Sequence, residues 1–386
     1  MAKRKLNIAL IGYQFMGKAH SNAYRQAARF FDLDVEPVMK VLVGRSESKL
    51  KVAQEQFGWD EYSTDWNDVI ARDDIDIIDI GTPNDSHAEI TQAALKAGKH
   101  VLCEKPLATS VEEAKKSYEL AVEKGVVHGI CHNYRKAPAI AYARQLVAEG
   151  KLGEIRHFRG TYLQDWIVDP SVPLVWRLDK NIAGSGSHGD LNAHLIDTAR
   201  FVMGVEFTEV SGLAETFIKK RPILADTDGG LSGFKASEEM GEVTVDDVTA
   251  FLARFTNGAT GTFEATRLAP GRKNYNRWEI NGEKGTIAFN LERMNEIEVY
   301  LNDDPQGVPG FRTVQATESF MPYMNAYWPV AHIIGYEHTF VNLVKDFLES
   351  VANGTPFNPD FYDGYKNQQV LDAVDRSAAS RQWVSF

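Results

Sequence analysis

The alternation of short apolar runs with helical stretches over the first 130 residues does most to limit what this chain can become. "LNIALIG" reads as a strand, and residues 16–30 after it as a helix that places Ala19, Ala23 and Ala27 on one face. "PVMKVLVG" is the next strand, followed by a charged helix over 46–57. "DIDIIDIG" precedes a helix over 85–97, "KHVLCEKP" a helix over 111–124, and "VVHGI" closes the run. Strands separated by helices of roughly 10–15 residues need crossover connections and so lie parallel. The expected fold class is α/β, with an N-terminal doubly wound parallel sheet of the Rossmann type.

From about residue 153 the pattern changes to long strands, among them "EIRHFRGTYLQDW", "VDDVTAFLARFT", "ATGTFEATRLA" and "NRWEINGEKGTIAFN". Asn257-Gly258 and Glu283-Lys284-Gly285 are hairpin signals, which make this second sheet large, open and mostly antiparallel. One helix near 189–203 interrupts it, residues 305–332 read as irregular, and two helices over about 335–351 and 362–381 end the chain. With 386 residues the chain is too long for one ordinary core. Two domains are expected: a dinucleotide-binding domain over 1–130, and a substrate-binding and oligomerisation domain over 131–386, whose last helices pack back on the first.

The net charge of −11 speaks against nucleic acid and anionic membrane as partners, since both reward basic patches. No run approaches the roughly 20 apolar residues of a membrane span. The basic cluster Lys3-Arg4-Lys5 precedes too short an apolar stretch for a signal peptide. Two cysteines, Cys103 and Cys131, give neither a disulfide framework nor metal-ligand spacing. Buried free thiols and a cytoplasmic location are expected.

The turn after the first strand reads "GYQFMGKAH". Gly12 and Gly17 stand at the first and third positions of a G-x-G-x-x-G phosphate turn, and Gln14 replaces the middle glycine. The motif follows a strand and opens a helix, the setting that a dinucleotide site requires. The N–H groups of Phe15, Met16 and Gly17 then point outward at a helix N-terminus, where a pyrophosphate is stabilised. The second strand ends in Gly44, Arg45 and Ser46, with no carboxylate for the ribose hydroxyls. An arginine there meets a 2′-phosphate or stacks on adenine, which leaves NAD and NADP both open.

Ligands of an open parallel sheet sit beyond the carboxyl ends of its strands. Thr82, Pro83, Asn84 and His87 fall there, as do Glu104 and Lys105 ahead of Pro106, and Asn133, Tyr134 and Arg135. Lys105 reads equally as an active-site cation or as half of a surface salt bridge with Glu104. In "GSGSHGDLNAHLID", Asp190 and His194 are four apart on a helix and share a face, with Asp197 a turn further. A histidine so placed suits a general base, its ordinary pKa being near neutrality. His188 lies on another face, within what reads as a flexible entry loop. No third ligand stands at a recognised spacing, so no metal is expected.

Taken in order, "GYQFMGKAH", "TPNDSH", "EKP" and "GDLNAHLID" resemble the glucose–fructose oxidoreductase / inositol dehydrogenase / rhizopine-catabolism (Gfo/Idh/MocA) family over nearly the whole chain. That resemblance implies an NAD(P)-dependent oxidoreductase with Lys105, Asp190 and His194 as its catalytic group. Hydride would pass between a secondary alcohol of a sugar, glycoside, anhydrosugar or inositol and the nicotinamide. "QDWIVDPSVPLVWRLDKNIAGSG" is similar to sugar- and inositol-oxidising members. Trp166 and Trp176 suit stacking on a sugar or, for Trp176, a place beside the cofactor. Arg177 suits either the nicotinamide amide or a sugar hydroxyl. Asn133, Arg135, Tyr336 and His338 complete the expected substrate contacts, although Tyr336 and His338 read equally as the start of a packed helix. The resemblance also implies a homodimer or homotetramer through the second sheet. Redox-assisted glycoside cleavage and a non-catalytic dinucleotide-binding regulator are the rival readings.

Overall fold

A computed structural model describes residues 3–224, 236–305 and 307–386. They form two compact units: residues 3–133 with 336–368, and the described residues of 134–335 with 369–386.

The first unit holds six strands: β1 (Arg4–Ile11), β2 (Val35–Val43), β3 (Glu61–Ser63), β4 (Ile77–Ile80), β5 (His100–Cys103) and β6 (His128–Ile130). Their order is β3-β2-β1-β4-β5-β6, and every pairing is parallel. The connecting helices are α1 (Phe15–Phe30), α2 (Glu47–Phe57), α3 (Trp66–Ile70), α4 (His87–Lys96) and α5 (Val111–Lys124). Because helices cover a parallel sheet, its strands read as unbroken apolar runs: Ile8, Ala9, Leu10, Ile77, Ile78, Val101 and Leu102 are all sealed from solvent. The α5 ends show how local chemistry sets an element. Ser110 accepts the Glu113 N–H at 3.2 Å, and Gly125 stops the helix in the left-handed region at φ 62°. Strand order reverses at β1 and β4, the switch point where such sheets place a ligand.

The second unit contains β7 (Ile155–Leu163), β8 (Phe207–Glu215), β9 (Lys220–Leu224), β10 (Ala236–Glu242), β11 (Val248–Phe255), β12 (Thr260–Thr266), β13 (Tyr275–Gly282), β14 (Gly285–Asn290), β15 (Glu296–Leu301), β16 (Arg312–Gln315) and β17 (Val384–Ser385). Nine of them make one sheet, ordered β16-β15-β14-β13-β7-β12-β11-β8-β17, while β9 and β10 pair separately. Only β7–β12 is parallel in the large sheet. β16 falls in the stretch that reads as irregular, because its few residues gain regularity from pairing with β15. Helices α6 (Pro138–Ala148), α7 (Lys180–Ala183) and α8 (Ala193–Met203) belong here, and α8 packs on β7 and α6. Phe251 and Phe263 stack under this layer with centroids 4.4 Å apart, and Phe158 lies 5.0 Å from Phe263.

Of the last two helices, α9 (Glu337–Asn353) lies in the first unit against α1, with the Phe340 ring 5.4 Å from that of His20. α10 (Phe361–Ser380) begins in the first unit and ends in the second. Among the described residues no helix is long and apolar enough to cross a membrane.

Candidate active site

In the first unit the turn between β1 and α1 is built so closely that side chains are excluded. Gly12 has φ +115°, and a Cβ there would lie 2.5 Å from the Gly81 oxygen. One on Gly17 would lie 2.3 Å from the Gly12 oxygen. Gln14 has φ −80°, open to any residue, and its exposed side chain makes no capping bond. The backbone at this middle position therefore does not itself call for glycine. The first helical bond runs from the Lys18 N–H to the Gln14 oxygen at 2.8 Å, so the N–H groups of Phe15, Met16 and Gly17 precede the hydrogen-bonded ladder. A turn that admits no Cβ, backed by outward N–H groups, fits a dinucleotide pyrophosphate. At the tip of β2, Gly44 leaves room for the Tyr13 ring, which a Cβ would meet at 2.2 Å. Arg45 beside it is exposed, and Ser46 starts α2 without a side-chain cap bond.

At the ends of β4 and β5, Thr82, Pro83, Asn84 and Lys105 are half-buried in loops. Two neighbours expected to touch the cofactor are engaged inside the protein instead. His87 is buried, with Nδ1 2.6 Å from the Pro106 oxygen and Nε2 2.9 Å from the Thr82 oxygen, and so straps two loops together. Glu104 is buried too: Oε1 lies 3.0 Å from His20 Nε2, and Oε2 accepts the Lys105 N–H at 3.2 Å. The surface salt bridge read as one option for Glu104 therefore gives way to an internal anchor for the Lys105 backbone.

His20 bridges that carboxylate to Asp79, whose two oxygens both lie 2.9 Å from Nδ1; Tyr24 donates to Asp79 Oδ2 at 2.9 Å. Among the described residues, His20, Glu104 and Cys131 are the one set whose ligand-type atoms converge as a metal would need. Both His20 nitrogens face carboxylates at hydrogen-bond distance. Burial alone would lower the His20 pKa, but Asp79 and then Glu104 overcome it and raise it to about 10. The stabilisation linked to protonation of His20 is complete below the ordinary value of 6.5 and is lost as pH rises towards 10. His128 works in the opposite sense. Burial lowers its pKa to about 4, so its contribution is present above 6.5 and fades as pH falls towards 4. His20→Gln is expected to cost about 3–5 kcal/mol at pH 6. Thermal melts of wild type and variant should converge between pH 7 and 10; parallel curves would show that the His20 charge is not linked to folding.

Asn133, Tyr336 and His338 also lie in the first unit. Asn133 donates to Thr339 Oγ1 at 2.8 Å, the Tyr336 ring packs 5.4 Å from Phe340, and His338 is buried with Nδ1 3.4 Å from Glu337 Oε1.

In the second unit Asp190 does not sit on a regular α-helix. His188–Asn192 form a π-helical turn that runs into α8, and His194 occupies the first turn of α8 proper. Wide turns of this kind recur at functional sites. The sequence reads as uniform helix because the wide turn runs directly into α8 with no break between them. His188 is fixed rather than flexible: its N–H donates to Asp246 Oδ2 at 2.8 Å, and Nε2 lies 3.1 Å from the Leu371 oxygen. Asp246 also accepts the Gly186 N–H at 2.7 Å and the Ser187 hydroxyl at 2.6 Å. Burial would raise its pKa, but His188 and these donors prevail and lower it.

His194 is buried, its ring 4.4 Å from Tyr134 and 6.0 Å from Tyr162. A hydrogen-bonded chain runs past it: Tyr134 to Tyr162 at 2.9 Å, Tyr162 to Asn274 at 2.7 Å, Gln164 to Asn274 at 2.9 Å, and Trp166 to Gln164 at 3.0 Å. Arg177 stacks over the Trp176 ring at 4.3 Å. Burial lowers its pKa against the attraction of Asp190, with Arg267 adding to the lowering. Arg135, expected to hold substrate, instead makes a two-pronged ion pair with Asp197: Nε to Oδ2 at 2.8 Å and Nη2 to Oδ1 at 2.6 Å. Both side chains are 3% accessible, which makes the pair part of the core beneath α8. Arg267, Asp246, Tyr162 and Asn274 escape a reading of the sequence, since none stands in a motif.

A parallel sheet with a close-packed glycine turn at its switch point is the frame of a dinucleotide-binding domain. Residues 6–132 match the oxidoreductase family with an NAD-binding Rossmann fold, and residues 140–288 match the GFO/IDH/MocA C-terminal domain. The chain belongs to the GFO/IDH/MocA family of NAD-binding oxidoreductases. It is 44% identical over 384 residues to levoglucosan dehydrogenase of Pseudarthrobacter phenanthrenivorans, covering 99% of this chain and 98% of that protein. The structure of a levoglucosan dehydrogenase in complex with NADH and levoglucosan superposes with a TM-score of 0.93 at 43% identity, over 99% of each chain. An oxidoreductase domain protein from Kribbella flavida gives 0.94 at 48% identity, over 100% of this chain and 99% of that one.

Proposed function

We propose that this protein is an NAD-dependent dehydrogenase of anhydrosugars of the levoglucosan type, oxidising a secondary ring alcohol or reducing the matching ketone. The observation that carries this reading is the likeness to levoglucosan dehydrogenase along 99% of the chain. The retention of Lys105, Asp190 and His194 supports it. When bound, NAD supplies a ring carbon that takes up or returns a hydride. The chain's own residues handle the oxygen. His194 takes the hydroxyl proton as the carbinol C–H bond breaks. Lys105 donates to the same oxygen and stabilises its developing charge. Asp190 accepts from a neighbouring hydroxyl and sets the register of the ring. Trp166 and Trp176 offer apolar faces to the sugar. Self-association into a homodimer or homotetramer through the open face of the large sheet, where Leu213 and Leu252 are exposed, belongs to the same proposal, as does a cytoplasmic location.

The test is to incubate the protein with NAD⁺ or NADP⁺ and a panel of anhydrosugars, glycosides, hexoses and inositols, following nicotinamide absorbance. A rise with an anhydrosugar supports the reading, and the cofactor that gives it shows what Gly44 and Arg45 select. A rise only with another class overturns the substrate assignment. Release of free sugar from glycosides with no net reduction would replace it with redox-assisted cleavage.

A further inference from the structure

Arg267, directly after β12, carries one of the largest side chains sealed inside the second unit. Its side chain is 2% accessible, whereas the Asp190 side chain it meets is 30% accessible. The cation is therefore the more deeply buried member of the pair, and the carboxylate is partly accessible. Nη2 donates to Asp190 Oδ2 at 2.8 Å and to the Gly186 oxygen at 3.2 Å, and Nη1 donates to the Arg177 oxygen at 3.5 Å. The guanidinium also lies 5.6 Å from the Trp166 ring. One fork thus joins the Asp190 carboxylate, the loop before its helix and the turn that bears Arg177.

We infer that Arg267 is a positioning residue that holds Asp190 for the reaction proposed above, on which this inference rests. Stability alone explains the arrangement poorly. A buried guanidinium is costly to desolvate, and replacing buried ion pairs by apolar groups is often neutral or stabilising. Arg267 Nε is moreover buried without a hydrogen-bond partner among the described residues. What the pair supplies is direction. Asp190 stands in a π-helical turn, a geometry that recurs at functional sites. Gly186, just ahead of that turn, is gripped from both ends, its N–H by Asp246 at 2.7 Å and its oxygen by Arg267 at 3.2 Å. A Cβ on Gly186 would fall 2.0 Å from the Asp246 oxygen, so the loop has no slack. Asp246 ties down the start of the turn, and Arg267 holds one oxygen of the carboxylate.

The test is a double-mutant cycle on kcat with Arg267→Met and Asp190→Asn, run on the full chain with the sugar and cofactor that support turnover. Alone, Arg267→Met is expected to lower kcat by about 10²-fold, the size of effect that a displacement near 1 Å produces, with dinucleotide affinity unchanged. In the Asp190→Asn background it should change kcat by less than about twofold, because the carboxylate it holds for the reaction is already gone. Multiplying effects, or wild-type kcat in Arg267→Met, would overturn the inference. Full kcat in Asp190→Asn would instead sink the catalytic reading of Asp190. Should Arg267→Met fail to fold, Arg267→Lys carries the test: it keeps the charge but not the fork. Its smaller loss of kcat should likewise vanish in the Asp190→Asn background, and persistence there would refute the positioning role.

Discussion

His194→Ala is expected to lower kcat by about 10²–10⁴-fold, the usual worth of a positioned acid–base group. The ring is buried and held between Tyr134 and Tyr162 at 4.4 and 6.0 Å, so its direction is set by packing before any substrate arrives. Dinucleotide affinity, measured by titrating protein fluorescence, should stay within about twofold, because the phosphate-binding turn belongs to the other compact unit. His194→Asn controls for the lost volume: it fills part of the space but offers no base. It should be as slow as His194→Ala if proton transfer is what the ring does. Near-normal turnover in both variants would remove His194 from the base role. Full recovery in the Asn variant alone would make the ring a packing element.

How much of this was legible in the sequence depends on whether a feature is local. Periodicity reveals the parallel sheet, since Ile77, Ile78 and Ile80 must be covered on both faces. The phosphate turn is equally plain, and the structure adds that the backbone at Gln14, with φ −80°, needs no glycine. Asp79 carries a signal of its own in the sequence. A carboxylate among isoleucines in a buried strand requires a partner, and His20, in the second turn of α1, supplies it. Direction at strand ends was not legible. Glu104, His87 and Arg135 occupy positions expected to face a ligand, yet each turns inward to a carbonyl, a histidine or a carboxylate. Least legible were the partners of Asp190. Arg267 is 77 residues away in sequence, and Asp246 lies 60 from the glycine it holds. The parallel pairing of β7 with β12 sets where β12 ends and so delivers Arg267 to Asp190, and that register is a property of the folded sheet.

Lys105→Ala is expected to be at least as damaging to chemistry as removing one oxyanion-hole donor, about 10²–10³-fold in kcat, or roughly 2.7–4 kcal/mol of transition-state stabilisation. The argument begins behind the lysine. His20 holds Glu104 Oε1 at 3.0 Å, and Glu104 Oε2 accepts the Lys105 N–H at 3.2 Å, so the backbone that bears the ammonium is tied to a buried charge network. A cation presented from so fixed a backbone need not reorganise when negative charge develops on the substrate oxygen. Because that charge is greater in the transition state than in the alcohol or ketone, the loss should fall on kcat more than on KM. Lys105→Arg should restore little, since a planar fork does not present the compact charge of an ammonium. With substrate deuterated at the carbinol carbon, the isotope effect on kcat should grow in Lys105→Ala as hydride transfer becomes rate-limiting. A loss confined to KM, with kcat and its isotope effect unchanged, would make Lys105 a substrate-binding group alone and leave His194 as the residue acting on the reacting oxygen.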